Sequence, residues 1–368
     1  MHIRIRGILC KRTEIDTPDS RWHNSDKFIR KGIWMVSKSA ITPKMRKSIG
    51  TRLFEDFLPD EVSPWAISRF VEATTDENPL WRDEKYAKKT RWGGVIAPPA
   101  FLHVFDPANR AFRQRPDLSH MATIMPFQLP FPKMFQAFYE FQFFLPLRPG
   151  DLITSTARIG DVYERKGKSG RMVFVRMDNE HRNQRNELAG ITSEAMVSIE
   201  GSSSSSKSAE PPPPTEEVKL VSPSRKQVYF EDVEVGTALP AMVKPISLVT
   251  ILKWGAAVND YGPHHYDQQF ANKMLGLPNV IAHGPHNAAF LAQLVTNWLG
   301  GEGMLKRHYA EMRGNVFPGD AMTFQGKVAN KYEKDGEGIV EVESWAQNQK
   351  GRRVTLGKST AALPRRKK

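Results

Sequence analysis

An α+β fold built as two tandem copies of one unit is what this sequence predicts, on three observations. Residues 62–76 align with residues 246–260 at a constant offset of 184, with no gap, and both stretches end on an aspartate, Asp76 and Asp260. A repeat of that length means two copies of one structural unit, and its period is far above that of a solenoid. In each copy helical patterning comes first and four strand-like runs follow, an order that argues for an antiparallel sheet. Between the copies, Gly201 through Pro214 is a serine run followed by four prolines, the composition of a linker.

Each copy opens with a helix, at about 62–75 and 246–258, followed by the aspartate-bearing loop. A longer central helix comes next; in the second copy Leu291, Leu294, Val295 and Trp298 recur at i, i+3, i+4 and i+7. Pro285 suits the first turn of that helix, where its missing N–H costs little. The strand runs are expected at 133–146, 152–165, 171–182 and 187–199, then at 306–317, 321–332, 338–348 and 353–363. Alternation is plain in Phe141-Gln142-Phe143 and in Val340-Glu341-Val342-Glu343. Arg148-Pro149-Gly150-Asp151 and Phe317-Pro318-Gly319-Asp320 stand where a turn joins the first two strands. Phe135, Phe138, Tyr139, Phe141, Phe143 and Phe144 are too dense for one buried face, so part of that run is expected against the other half or a long apolar ligand, with core packing as the default.

The domains expected are a basic extension at 1–49, a first domain at 50–200, a linker at 201–227, a second domain at 228–364 and a basic tail at 365–368. The formal charge of +13 sits at the ends. Residues 1–49 hold 12 Lys/Arg against 4 Asp/Glu and the tail adds four, so the body is near neutral. That placement argues against a nucleic-acid partner and favours solvated ends. With Cys10 as the one cysteine, an internal disulfide and a thiolate cluster are both excluded. No apolar run reaches spanning length. No secretory signal is visible, and the expected location is cytoplasmic, with the mitochondrial matrix as the alternative.

The segment Asp260-x-x-Pro263-x-His265-x-Asp267, followed by Ala271, Gly276 and Ile281-Ala282-His283-Gly284, resembles the hydratase signature of MaoC-like dehydratases, also called R-specific enoyl-CoA hydratases. The resemblance covers most of 55–200 and 228–363. It implies tandem hot dog domains, each a long central helix wrapped by a curved antiparallel sheet, with the first half degenerate. The usual motif is Asp-x-Asn-Pro-x-His; here Gly262 replaces the Asn, while the first copy keeps Asn78 and has Trp81 opposite His265.

Hydration of a trans-2-enoyl thioester needs water at C3, a proton at C2 and support for negative charge on the thioester oxygen. A carboxylate and an imidazole gripping one water can take and return a proton, the role expected of Asp260 and His265; either could deliver the C2 proton. The resemblance implies a shared water and syn addition. Gly284, at a helix start and without a side chain, is the expected backbone donor to the oxyanion. The first copy carries Pro98 and Pro99 there, so it lacks both imidazole and donor. Gly262, His283 and Trp81 are the candidate substrate-binding residues, although packing at the helix start is the favoured reading of His283. His264 is expected to point away from the site. Trp81, Trp92 and Phe101 are expected in the core or lining an acyl pocket, and the unmatched stretch from about 107 to 130 near the mouth of an acyl tunnel. His283 and His286 near His265 raise the question of a metal, which the spacing does not support; no metal and no cofactor are expected.

The expected substrate is an acyl-CoA or acyl-carrier-protein thioester. Two such domains in one chain imitate a homodimer, so a monomer or a dimer of such pairs fits, as does pairing with another hot dog or thiolase-type subunit. Two other activities use similar parts: a hot dog acyl-CoA thioesterase, which directs water to the carbonyl, and a non-catalytic acyl-thioester-binding subunit of a larger dehydratase complex.

Overall fold

The computed structural model describes residues 39–368 apart from 55–57, 115–124, 168–169, 201–225 and 367–368. Cys10, the extension up to residue 38 and most of the linker lie outside the described residues. In chain order the first half forms α1 (Pro43–Lys47), β1 (Asp60–Glu61), α2 (Pro64–Thr74), α3 (Glu84–Ala87), α4 (Pro107–Gln114), β2 (Lys133–Phe143), β3 (Leu152–Gly167), β4 (Gly170–Arg182) and β5 (Leu188–Ile199). The second forms β6 (Met242–Pro245), α5 (Leu248–Val258), α6 (Gln268–Leu275), α7 (Gly284–Leu299), β7 (Met304–Met312), β8 (Ala321–Lys334), β9 (Glu337–Gln347) and β10 (Arg353–Leu363).

The repeat holds down to single hydrogen bonds. Ser63 and Ser247 cap α2 and α5 by accepting from the N–H of Ala66 and Thr250. Both helices end on a left-handed residue, Thr75 at φ 46° and Asn259 at φ 60°. Asparagine tolerates that conformation; a β-branched threonine does so only under constraint. The constraint is Lys244, whose Nζ donates to the Thr75 carbonyl at 3.0 Å and to its hydroxyl at 2.8 Å. The left-handed cap turns the chain off the helix axis. The next N–H, that of Asp76 or Asp260, then returns to Val71 O or Gly255 O. Downstream, Asp83 and Asp267 cap α3 and α6.

All strands pair antiparallel in one ten-stranded sheet of order β1-β3-β4-β5-β2-β7-β10-β9-β8-β6. The halves join where β2 meets β7, from Phe138 opposite Glu311 to Gln142 opposite Arg307. The expected first strand of each half runs too long, ending at Phe143 and Met312 instead. Pro146, which has no N–H to donate, stands in the first excess stretch, and Pro318 follows the second directly. Along β2, Tyr139, Phe141 and Phe143 turn into the core, while Phe138 packs on the other face against Tyr309, ring centroids 5.3 Å apart. One apolar cluster spans both halves, with Phe70 of α2 5.3 Å from Trp254 of α5 and with α7 running through it.

Four expectations change. Among the described residues the long central helix is found only in the second half, as α7. Its counterpart is a 3-10 helix, Pro99–Phe105, and then α4, broken at Asp106 (ψ 120°) because Pro107 forces its predecessor out of helical geometry. Residues 39–49 are not part of a separate extension: Ile41 and Met45 pack with Ile159, Val162, Val173, Val175 and Met177. The returning end of the unmatched stretch, Met125 and Phe127, joins the same cluster on β3 and β4, so this part roofs the sheet; residues 115–124 lie outside the described ones. The described part of the basic tail is also paired, Arg365 with Glu333 and Arg366 with Asp232.

Candidate active site

Asp260, just past the left-handed cap of α5, accepts the N–H of Gly262 on Oδ1 at 3.2 Å, and its side chain is 22% exposed. Asn78 donates its N–H to Asp76 Oδ1 at 3.0 Å in the first half. Glycine in place of the motif asparagine therefore keeps the backbone turn that orients the carboxylate. What changes is the space beyond: a Cβ on Gly262 would come within 2.8 Å of His264 Cε1. The His264 ring has folded into that space and lies 3.9 Å from the His265 ring, so it does not point away as expected.

The 3-10 turn Pro263–His265 carries the imidazole inward. His265 Nδ1 lies 2.8 Å from the Ile281 carbonyl. A carbonyl can only accept, so Nδ1 carries the hydrogen and the neutral ring presents Nε2 as an acceptor. Burial, then the neighbouring His283 and His264, hold its pKa well below the usual imidazole value. His265 is thus neutral at ordinary pH, the form a general base needs.

His283 precedes α7 and is 1% exposed. Its ring stacks on His265, centroids 3.5 Å apart and planes 21° from parallel. Its Nε2 donates to the Asp260 carbonyl at 3.2 Å and stands 3.8 Å from Oδ2. His283 thus contacts both the Asp260 backbone and the His265 ring. An oxygen of Asp260 and a nitrogen each of His265 and His283 lie within 4.8 Å of one another. Two hydrogen bonds of about 2.8 Å let one water bridge acceptors up to roughly 5 Å apart. A tetrahedral metal needs lone pairs that converge. One carboxylate and two imidazoles are donors of the kind zinc takes, so the group could hold a metal ion as well as a water.

Gly284 begins α7, and its N–H is among the first-turn donors a helix leaves unused. The side-chain position faces protein: a Cβ there would stand 3.3 Å from Tyr139 Cε2 and 3.5 Å from Met312 Sδ. Part of the need for glycine is therefore packing across the half-to-half junction. His286, two residues on, donates Nε2 to the Ala73 carbonyl at 3.1 Å and is fully buried, away from any shared metal position.

Residues 47–190 match the family described as FAS1-like, dehydratase domain region, and residues 235–349 match the MaoC like domain. A UPF0336 protein of Thermobifida fusca is 32% identical over 113 residues, 30% of this chain and 68% of that one. Among solved structures, a MaoC-like dehydratase superposes with a TM-score of 0.66 at 20% identity, over 87% of this chain and 99% of that one. A conserved hypothetical protein of Mycobacterium tuberculosis with a double hot dog fold gives 0.57 at 12%, over 86% and 96%. The chain is a two-domain member of the MaoC-like family.

In this MaoC-like chain the first copy of the site is plugged. Trp81 Nε1 donates to Asp76 Oδ2 at 3.0 Å, so the indole stands where the second half has its imidazole. Trp81 is 4% exposed and lines, with Trp92 and Leu299 among others, a cavity of about 50 Å³. The Asp76 carboxyl is pushed up by burial and partly offset by its hydrogen bonds and by Lys244. Ala97 N–H donates to Leu147 O as Ala282 N–H does to Val316 O, which confirms Pro98 and Pro99 as the counterparts of His283 and Gly284.

The first half also sends groups toward the Asp260–His265 cluster that sequence reasoning missed. His103, Asp106 and Glu194 each sense the charge of Asp260, as does Tyr139. Nothing local in the sequence marks the first three, because only the junction of the halves brings them there.

Proposed function

We propose that the second half catalyses R-specific hydration of trans-2-enoyl thioesters, or the reverse dehydration of 3-hydroxyacyl thioesters, carried on CoA or acyl carrier protein. One observation carries this reading: His265 is held neutral with Nδ1 engaged by Ile281 and Nε2 left to accept, beside the carboxylate of Asp260. Two acceptors facing one gap orient a water by both its hydrogens.

In this reading a water lone pair attacks C3 while His265 Nε2 takes a water proton. The π electrons move through C2 onto the thioester oxygen, where the Gly284 N–H and the start of α7 offset the developing charge. The imidazolium returns its proton to C2 on the same face, so the elements of one water add across the double bond. His283 holds the Asp260 backbone and the plane of the His265 ring throughout.

The test follows loss of the conjugated enoyl absorbance of crotonyl-CoA, with chiral analysis of the 3-hydroxybutyryl product. Hydration giving the R product, lost in Asp260→Asn and in His265→Gln, is expected. Full rate in either variant refutes the assignment. Release of free CoA without a 3-hydroxyacyl product would mean thioesterase chemistry instead.

A further inference from the structure

The live site is walled on one side by buried polar groups of the degenerate half. Tyr139 of β2 stands against Gly284. The His103 ring meets Tyr139 edge-on at 5.6 Å and stacks over Trp254 of α5 at 6.0 Å. His103 Nδ1 is 3.7 Å from Asp106 Oδ2. Glu194, beside the Tyr139 phenol, takes a hydrogen bond from Gln136 Nε2 on its other oxygen at 3.1 Å. Asn109 follows on α4. His103, Asp106, Asn109 and Glu194 are between 3% and 6% exposed.

Yet His103 Nε2, Asn109 Nδ2 and Trp254 Nε1 have no hydrogen-bond partner among the described residues, and Glu194 Oε1 has only the approach of the Tyr139 phenol. A buried polar atom left bare is costly, so such groups call for a hydrogen-bonding guest. The pocket beside Trp81, by contrast, is lined almost wholly by apolar side chains and by no member of this cluster.

We infer that this cluster is the acyl-tail subsite of the Asp260–His265 centre and that it selects acyl chains carrying a neutral oxygen function, a hydroxyl or keto group, over plain alkyl chains. The inference deepens the hydratase reading and rests on it. Burial pushes the Glu194 carboxyl up, the Asp106 carboxyl up to about 7 and His103 down to about 4, so the wall offers no cation near neutral pH. An anionic guest would meet no counter-charge in the cluster. A hydroxyl can donate to His103 Nε2 or Glu194 Oε1 and accept from Asn109 Nδ2 or Trp254 Nε1.

The experiment compares, on the full chain, length-matched pairs of trans-2-enoyl-CoA, one plain and one hydroxylated at successive positions beyond C4. At least one hydroxylated chain should exceed its plain partner in kcat/KM by about tenfold, the worth of one satisfied buried hydrogen bond. In Glu194→Met and His103→Phe that ratio should fall toward one, while Glu194→Gln, which keeps the volume and one acceptor, should preserve most of it. Ratios near one for every pair in the wild-type chain, with plain chains hydrated well, would overturn the inference and leave the hydratase reading standing; the bare atoms would then hold water alone. No hydration of any enoyl thioester would instead sink the reading beneath it. The wild-type comparison needs no variant to fold.

Discussion

The imidazoles of His283 and His265 lie face to face, 3.5 Å between centroids, and His283 Nε2 is tied to the backbone of Asp260. One buried side chain thus fixes both partners of the proposed water grip. His283→Phe keeps the ring stack and loses the donor. We expect kcat to fall about tenfold, the worth of one buried hydrogen bond, with KM little changed. Steady-state kinetics with crotonyl-CoA check this. Unchanged kcat would reduce His283 to packing alone.

Burial holds His265 well below the ordinary imidazole range. The acid limb of kcat/KM should therefore lie below about pH 6.5, the unperturbed histidine value. A limb centred at or above that value would contradict a neutral, buried base.

Stability should also depend on pH. His103 and His308 are held to about 4 and His181 and His286 to about 3, by burial, with His265 and His283 shifted the same way. Below about pH 6.5 the unfolded chain binds protons that the folded chain does not, so these six groups destabilise the fold as pH drops toward 4. The raised carboxyls of Asp76, Asp106 and Glu194 act in the opposite sense, the folded chain keeping protons that the unfolded chain releases above about 4. Six groups outweigh three in that window. The urea midpoint should climb from about pH 4.5 to 6.5, and a flat or falling profile would show that the imidazoles are not buried neutral.

Lys244 joins the halves from a buried position. Its Nζ reaches Thr74 O, Thr75 O and Thr75 Oγ1, and burial lowers its pKa to about 8 although Asp76 and Glu77 oppose the shift. Lys244→Met leaves those acceptors bare and Asp76 without a counter-charge. A loss of roughly 3–5 kcal/mol is expected, as for breaking other buried charge partners, read from urea unfolding. Lys244→Met in an Asp76→Asn background should cost less than the two single losses added, because the two sites couple.

Restoring an imidazole should not revive the first site. Trp81→His supplies the missing ring, but Pro98 and Pro99 still offer no N–H to an oxyanion. Placed in a His265→Gln background, Trp81→His should show no hydration above that background. Recovered turnover would mean that the oxyanion donor lies elsewhere. Replacing the buried indole should also lower stability by about 3 kcal/mol or more.

The sequence by itself determined the repeat, both first helices, eight of the strands and the pairing of Asp260 with His265, because each rests on local pattern. Serine caps, a period of 3.6 or 2, and a turn of fixed spacing act within a few residues. The break at Asp106-Pro107 was legible in principle, since proline constrains the residue before it; alignment with α7 masked it. Tertiary structure alone decided the rest. Whether His264 turned in or out depended on the space left by Gly262. The roles of Lys244, His103 and Glu194 depended on which strand edges met, for a junction at β2 and β7 brings together residues far apart in the chain. Short β1 and β6 and helix α1 carry too few residues for a periodic signal, and their places come from the edges and sheet face they cover.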